Sequence, residues 1–578
     1  MDYLIHIAIF ILLYSILVQS LNLIMGYAGI VSMCHAIFAG IGAYTAALIS
    51  IHLGYNFLIA MLAGFVLAAV IGALLALPSL RVRDEYIIVF TIGFQMVMYE
   101  FLLTARGITE GQGGIPGIPA PELFGIEFAS PASFLPLVFV IALICFWVAW
   151  RVIYSPFGRV LKAIREEESA CRALGKNSLQ FKVLVFALGG GLAAIAGSTL
   201  AYYVTFVSPF TFIVDVSIFI IVMVVLGGLA NFWGPLVGAA ILVGLPEALR
   251  FIPGSANIID AIREILYGLI LMLLMIFRPQ GILPEHSGRK RKTILADTLA
   301  ELENFDPASP AQASVSAADD KHGGKTPVLE VKNISKSFGG LKAVDKVSLK
   351  LNSGDLVGLI GPNGCGKTTI FNLVTGYLVP NEGSVFVYGH DITKKPPYKV
   401  LKSGLARSWQ DVRIFNGMSV LDNVLVACPG QSGENLLSLF LKPWQVAKEE
   451  RENHKKALYY LKLVGLLDKA DQLAVNLSNA EQKLVAIARL LATECPILLL
   501  DEPTAALDVD SVSKVVKLVK NIAKQTKKTI LLVEHNLDVV RGLVENVYFM
   551  SEGRVLAYEE PSKLMANPKL AEVYFGID

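Results

Sequence analysis

The sequence is short of charge. Asp, Glu, Lys and Arg make up only 17% of its 578 residues, against roughly 25% in an ordinary soluble protein. With 54% hydrophobic residues and a mean hydropathy of +0.58, a wholly soluble chain is excluded, as is a disordered or fibrous one. An excess of charge of one sign is also lacking. Fifty Lys and Arg against 48 Asp and Glu leave a formal +2, which gives no support for a nucleic-acid partner. Cysteine is scarce and unpatterned: Cys34, Cys145, Cys171, Cys365, Cys428 and Cys495 show no CxxC spacing and no partner histidines. Neither a zinc framework nor a disulfide scaffold is expected, only structural thiols in a reduced compartment. The amino terminus has no basic n-region and no Ala-x-Ala exit, begins with acidic Asp2, and stays apolar too long for a secretory signal. It reads as a first membrane span.

At about 150 residues per domain the length implies several domains, and the composition changes near residue 280. Before that point lie apolar runs near 3–24, 30–50, 56–77, 85–104, 134–153, 181–203, 211–228, 234–250 and 258–277. Each approaches the roughly 20 residues that a helix needs to cross a hydrocarbon core. About nine spans are therefore expected, in a membrane domain over 1–278. The connection 78–84 carries Arg81 and Arg83, and 154–180 carries Arg159, Lys162, Arg165, Arg172 and Lys176. Cytoplasmic loops collect such residues, which puts both connections inside and the N-terminus outside. The Gly- and Pro-rich loop 105–133, with Arg106 and no lysine, then falls outside. Residues 279–327 begin with the juxtamembrane run Arg289 to Lys292 and continue in Ala, Ser, Asp and Pro; they are expected to be a flexible tether. From 328 to 578 short β-branched runs (Val328–Val331, Leu356–Ile360, Ile497–Leu500, Thr529–Val533) alternate with amphipathic stretches, the pattern of an α/β domain.

Gly361-Pro-Asn-Gly-Cys-Gly-Lys367-Thr368-Thr369 fits G-x-x-x-x-G-K-[ST] between an apolar strand and a helical stretch, the context that marks a phosphate-binding loop. Its glycines (Gly361, Gly364, Gly366), with Asn363, let backbone N–H groups face a phosphate, and the following helix N-terminus adds positive potential. Lys367 is expected on the β/γ oxygens and the Thr368 hydroxyl on Mg²⁺. Pro496-Ile-Leu-Leu-Leu-Asp501-Glu502 is an apolar run ending in two carboxylates. Asp501 would organise the Mg²⁺ shell, and Glu502 would accept a proton from the attacking water.

The order P-loop, SWQ, LSNAEQ, LLLDEP, LD and EH resembles the ATPase of ABC transporters. The resemblance implies roles for further residues: Gln410 as the Q-loop contact to Mg²⁺ and the membrane partner, Ser478 opening the signature helix, Asp508 in the D-loop, and His535 as the switch histidine near the γ-phosphate. Phe338, ahead of the P-loop, would stack on adenine; taken alone it reads equally well as a core aromatic. The signature departs from the usual LSGGQ. Asn479 and Ala480 replace both glycines and Glu481 stands at the Gln. A carboxylate near a triphosphate is unfavourable, so this signature is expected to build a weaker ATP site with a partner's P-loop, and reversion to LSGGQ to raise turnover.

In the first half, Asn22 to Tyr44, SLRVRDEY (79–86), the loop around Gly111–Gly117, LGGLANFWGPLVGA (226–239) and FRPQG (277–281) are similar to permease subunits of branched-chain amino acid importers. ARSWQDVRIFNGMSVLDNVL and the closing NPKLAEVYFG resemble the ATPase subunit of the same systems. The expected architecture is thus a polytopic α-helical membrane domain followed by an α/β P-loop ABC ATPase domain, a permease–ATPase fusion. Within 164–175, Arg165, Glu166, Ala170, Leu174 and Gly175 look like the short amphipathic coupling helix that such permeases seat on an ATPase, a solvated loop being the other reading. Asn22, His35 and Gln95 could line a solute path or hydrogen-bond between helices.

What the resemblance implies is ATP-driven import across a bacterial inner membrane, with ATP and Mg²⁺ as cofactors and branched-chain amino acids as first cargo. Urea, short amides or aromatic acids are the alternative. Membrane lipid, a second permease and a second ATPase (or a copy of this chain), and an extracytoplasmic solute-binding protein are the implied partners. An exporter half-transporter, with about six long spans, and a membrane-anchored regulatory ATPase are the readings from other classes.

Overall fold

The computed structural model describes residues 2–78, 84–123, 125–249, scattered positions between 262 and 285, and 327–566. The chain divides into two compact units. One holds Met1–Arg165, Ser178–His286 and Glu434–Leu439; the other holds Glu166–Asn177, Ser287–Gly433 and Phe440–Asp578.

In the first unit, seven helices among the described residues are long and apolar enough to span a membrane: Asp2–Tyr27, His35–Leu53, Phe57–Ala76, Tyr86–Thr104, Pro131–Ile153, Ser178–Val204 and Pro209–Gly227. An eighth apolar helix, Gly234–Glu247, is shorter. Most of the expected span 258–277 lies outside the described residues, as do Arg81, Arg83, the run Arg289 to Lys292, most of the tether and the closing NPKLAEVYFG. Leu62, Val66, Val97, Ile144 and Trp147 are exposed, as side chains facing lipid would be. Ser178–Val204 packs against His35–Leu53 and Phe57–Ala76, and glycine makes that approach close enough. A Cβ on Gly197 would sit 1.9 Å from the Ala39 carbonyl oxygen, and one on Gly42 2.2 Å from that of Ala194.

Two interruptions are tied together by one side chain. The first helix ends in a π-turn, Leu23–Tyr27. Beside it Asn22 accepts from the Ala230 N–H (3.1 Å) and donates to the Asn231 carbonyl (2.9 Å), in the break that precedes Gly234. Gln95 likewise accepts from the Ile37 N–H (3.1 Å) and donates to the Phe212 carbonyl (2.7 Å), and His35 Nε2 pairs with Ser20 Oγ at 2.9 Å. Irregular backbone at such depth needs partners of this kind.

The second unit carries two sheets. β1 (Leu329–Phe338), β2 (Leu341–Leu351), β4 (Glu382–Val387) and β5 (His390–Asp391) form an antiparallel sheet in the order β2-β1-β4-β5. β3 (Leu356–Ile360), β6 (Leu405–Arg407), β7 (Ile497–Asp501), β8 (Thr529–Val533), β9 (Asn546–Ser551) and β10 (Arg554–Glu559) form the other, ordered β6-β7-β8-β3-β9-β10. All its neighbours pair in parallel except β9 with β10. The five residues of β7 and of β8 are buried throughout, as parallel strands covered on both faces require. Three expected runs coincide with β3, β7 and β8. The fourth, Val328–Val331, is only the start of β1, whose pairing slips at Val331/Ile334 and again at Ile334/Lys336. Those irregularities break the two-residue alternation and hide the rest of the strand.

Candidate nucleotide site

In a parallel sheet the carboxyl ends of neighbouring strands open onto one edge. Here β7, β8 and β3 are consecutive, so the segments that follow them (Glu502, His535 and the glycine loop) meet at one place. After Ile360 the chain turns through Gly361 (φ 155°), Gly364 (φ 79°) and Gly366 (φ 106°) into the helix Lys367–Val374. At two of these glycine is needed for space as well: a Cβ would lie 2.0 Å from the Met550 carbonyl oxygen at Gly361, and 2.4 Å from that of Ala343 at Gly366. Lys367 is buried, its ammonium donating to the carbonyls of Gly361 (2.8 Å) and Pro362 (2.9 Å).

Asn363, Gly364, Gly366, Lys367, Thr368, Thr369, Gln410, Glu502 and His535 line one cleft of about 480 Å³. At its centre Glu502 Oε2 accepts from Gln410 Nε2 at 2.9 Å, and Oε1 lies 2.5 Å from His535 Nε2. Glu502 adopts a left-handed backbone (φ 47°), its N–H bonded to the Val533 carbonyl at the end of β8. Such strain in a non-glycine residue persists where surrounding structure fixes it, often at functional sites. Sequence, far apart along the chain, had proposed these residues separately; the fold gathers them.

Asp501 does not line the cleft but sits directly behind it, 1% exposed. Its Oδ2 accepts from Arg407 at 2.7 Å, its N–H donates to Ser408 Oγ at 3.0 Å, and its Oδ1 has no hydrogen-bond partner. Burial pushes the Asp501 carboxyl above its ordinary range, with the Arg407 guanidinium pulling the other way. A buried carboxylate oxygen without a donor, a threonine hydroxyl (Thr368) and an amide (Gln410) make an oxygen set suited to a hard divalent cation, so the residues fit Mg²⁺. Sequence reasoning missed Arg407, and with it Asn372, which accepts from Arg407 at 2.5 Å. The available signal was an arginine closing the apolar stretch Leu405–Arg407, since a charge buried in a strand needs a partner. Lys483 was also missed; its ammonium reaches the carbonyls of Glu502 (3.4 Å) and Ala505.

Other expected residues lie apart from the cleft lining. Phe338 is 47% exposed at the end of β1. Asp508 caps the helix Val509–Thr526 through the Ser511 N–H. Ser478 caps the helix Asn479–Ala492 in a reciprocal box with Glu481, with Asn479 and Ala480 in its first turn. The Glu481 carboxylate is held 2.5 Å from Lys469 and accepts from the Ser478 N–H at 3.0 Å. Lys469 and these bonds hold it below the ordinary carboxylate range. The carboxylate therefore has its own counter-charge, which weakens the electrostatic reason for expecting a poor signature.

The stretch expected to form one short coupling helix is not continuous. The stretch is two helices, Pro156–Glu166 and Glu168–Ala173, broken at an extended Glu167 (φ −157°). The unit boundary falls at the same place. Arg165 stays with the first unit, donating to the Gly26 carbonyl (2.6 Å) and pairing with Glu285 (2.8 Å). From Glu166 the chain packs in the second unit. The Glu166 carboxylate accepts from the Gly417 N–H (3.1 Å), Tyr377 donates to the Ser169 carbonyl (2.8 Å), and Ala170 and Leu174 are buried. Gly175 ends the turn at φ 81°, where a Cβ would press on Leu401 at 2.8 Å.

Residues 344–505 match the family described as ABC transporter. The high-affinity branched-chain amino acid transport ATP-binding protein LivG of Salmonella typhimurium is 36% identical over 250 residues, which cover 43% of this chain and 98% of LivG. The chain belongs to the ABC transporter family. Residues 3–277 of this transporter match the permease component of branched-chain amino acid transport systems, so a helical permease domain and a LivG-like α/β ATPase are joined in one polypeptide. BraF of Pseudomonas aeruginosa, named for the same ATP-binding role, is 34% identical over 43% of this chain and 98% of its own length. A crystal structure of the ADP conformation of an ABC transporter cassette is similar at 36% identity, over 44% of this chain and 100% of that one, with a TM-score of 0.38. As an ABC ATPase, the second half binds nucleotide and hydrolyses ATP.

Proposed function

We propose that this transporter couples ATP hydrolysis to the import of branched-chain amino acids across a bacterial inner membrane. The N-terminus faces outward, and 279–327 serves as a tether to the ATPase domain. The observation that carries the reading is the convergence of Lys367, Gln410, Glu502 and His535 on one cleft. Lys367 exchanges the Gly361 and Pro362 carbonyls for phosphate oxygens, and the amides of 363–369 surround them. Glu502 takes the proton of the attacking water, Gln410 and His535 orient its carboxylate, and His535 meets the γ-phosphate. Phe338 supplies the adenine contact. Thr368, Gln410 and Asp501 would hold Mg²⁺, which would supply positive charge to offset that of the phosphates.

Ser478, Asn479, Ala480, Glu481 and Asp508 complete the nucleotide site of a second ATPase, in a partner subunit or another copy of this chain. Closure of the paired ATPases is passed through Glu166 to Gly175 to the spans, and an extracytoplasmic binding protein delivers the solute. The test has two arms. Glu502→Gln in the assembled transporter should retain ATP and lose uptake, by at least about a hundredfold for a lost general base; normal uptake contradicts the assigned base. A thermal-shift screen of the cognate binding protein should show stabilisation by leucine, isoleucine and valine. Stabilisation by urea, short amides or aromatic acids alone moves the cargo to that class.

A further inference from the structure

Asp501 and the segment 166–177 are held by two arginines, Arg407 and Arg413, that stack on one aromatic side chain, Trp409, just before Gln410. The Arg407 guanidinium carbon sits 4.5 Å from the centre of the Trp409 ring and 5.3 Å from that of Phe371, while its Nη2 holds Asp501 Oδ2. The Arg413 guanidinium also lies over the Trp409 ring, at 4.4 Å. Its Nη1 donates to Ser169 Oγ at 2.5 Å and stands 3.6 Å from the Glu167 carboxylate. Tyr377 meets the same indole edge-on, ring centres 4.7 Å apart, and donates its hydroxyl to the Ser169 carbonyl. Guanidinium–indole stacking gains when it is shielded from water, and Arg407 is buried. One indole therefore bears on the carboxylate behind the cleft and, through Arg413 and Tyr377, on the coupling segment.

We propose that Arg407 and Trp409 are positioning residues that fix Asp501 by its Oδ2, leaving Oδ1 for the Mg²⁺ shell, and that Arg413 makes this grip depend on how the 166–177 segment is seated. The inference rests on the assignment of Asp501 to Mg²⁺ made above. It adds a connection from the coupling segment to the metal carboxylate that does not pass through Gln410. A groove-filling or purely structural role for Trp409 predicts lost stability; the positioning role predicts a selective change in magnesium dependence.

The test uses the full chain in nanodiscs and a fluorescent ATP analogue, bound once in EDTA and once across a Mg²⁺ titration. Trp409→Leu should keep its EDTA affinity within about twofold and raise the Mg²⁺ half-saturation about tenfold, the scale typical when a ligand's supporting shell is lost. Trp409→Phe should recover most of that loss, since a π-face remains. Arg413→Gln, which touches neither Asp501 nor the cleft, should give a smaller rise of about threefold if the segment's seat is transmitted. Asp501→Asn is the reference. If it raises the half-saturation and Trp409→Leu does not, the positioning role is overturned while the magnesium assignment stands. If Asp501→Asn is itself silent, the magnesium assignment fails and the positioning role with it. Should Trp409→Leu fail to fold, Arg413→Gln decides alone, and an unchanged half-saturation overturns the connection.

Discussion

In the membrane unit Asn22 and Gln95 are fully buried to answer backbone groups where helices break. In the ATPase unit Lys367, Arg407, Asp501 and Glu502 are buried beside one another at the ends of parallel strands. The first arrangement gives the Asn22 and Gln95 amides backbone partners, although the same unit also buries the Gln19 amide, His35 Nδ1 and the Tyr44 hydroxyl without a hydrogen-bond partner. The second leaves capacity unspent: a carboxylate oxygen without a donor, and an ammonium whose present partners are loop carbonyls. What distinguishes these two sets is the partner, backbone groups for Asn22 and Gln95 and opposing or unmet charge for Arg407 and Asp501.

Substitutions in the two units should therefore fail in different ways. The largest effect is expected for Lys367→Met. If the Lys367 ammonium meets phosphate as proposed, its removal should weaken nucleotide binding about a hundredfold, while the thermal unfolding of the membrane unit stays where it was. Nucleotide titration and a melting curve on the same sample check both halves of the statement. Asn22→Leu should behave in the opposite way. It leaves the Ala230 N–H and the Asn231 carbonyl without their partner, at about 1–3 kcal/mol for each buried group. A lowered melting temperature in detergent with nucleotide affinity unchanged is the expected result. An Asn22→Leu protein that melts normally yet loses solute-stimulated turnover would move Asn22 into the functional class.

The same contrast explains what could be seen before the structure. Nine apolar runs marked the membrane half because hydropathy needs no partner, and seven long helices plus the shorter Gly234–Glu247 occupy the first eight of them among the described residues. The P-loop and the Asp501–Glu502 pair were legible because backbone conformation and strand position lie within a few residues of each motif. Arg407 was not, since its importance comes from the pairing of β6 with β7, a contact between segments some ninety positions apart. The antiparallel sheet was hidden by the slips in β1, and the break at Glu167 by an amphipathic pattern that runs on across it. Glu481 was read as a lone negative charge because Lys469 lies on a turn, outside the signature's own helix.

That last pair sharpens the comparison further, with smaller effects. If Lys469 neutralises Glu481 and the signature meets a partner's triphosphate as proposed, Lys469→Met should reduce turnover of the assembled ATPase about threefold, the unpaired carboxylate being only partly screened. Glu481→Gln alone should change it by less than about twofold. The reverse order would restore the idea of a signature weakened by its carboxylate.

The smallest effect is one of pH. The folded-state pKa of Glu481 lies below its ordinary 4.5, chiefly through Lys469, and that of Lys469 lies above its ordinary 10.5 through Glu481. A depressed carboxyl contributes stability that is present above its unfolded value and lost as pH falls through the folded one; a raised lysine contributes below its unfolded value and loses it only as pH rises through the folded one. The pair should therefore support the signature helix equally from about pH 6 to about pH 9. The melting difference between the parent and Glu481→Gln should be flat across that range and shrink below about pH 4. A difference that instead grew on acidification would mean that Glu481 is stabilised in its protonated form, and that the lysine is not its partner.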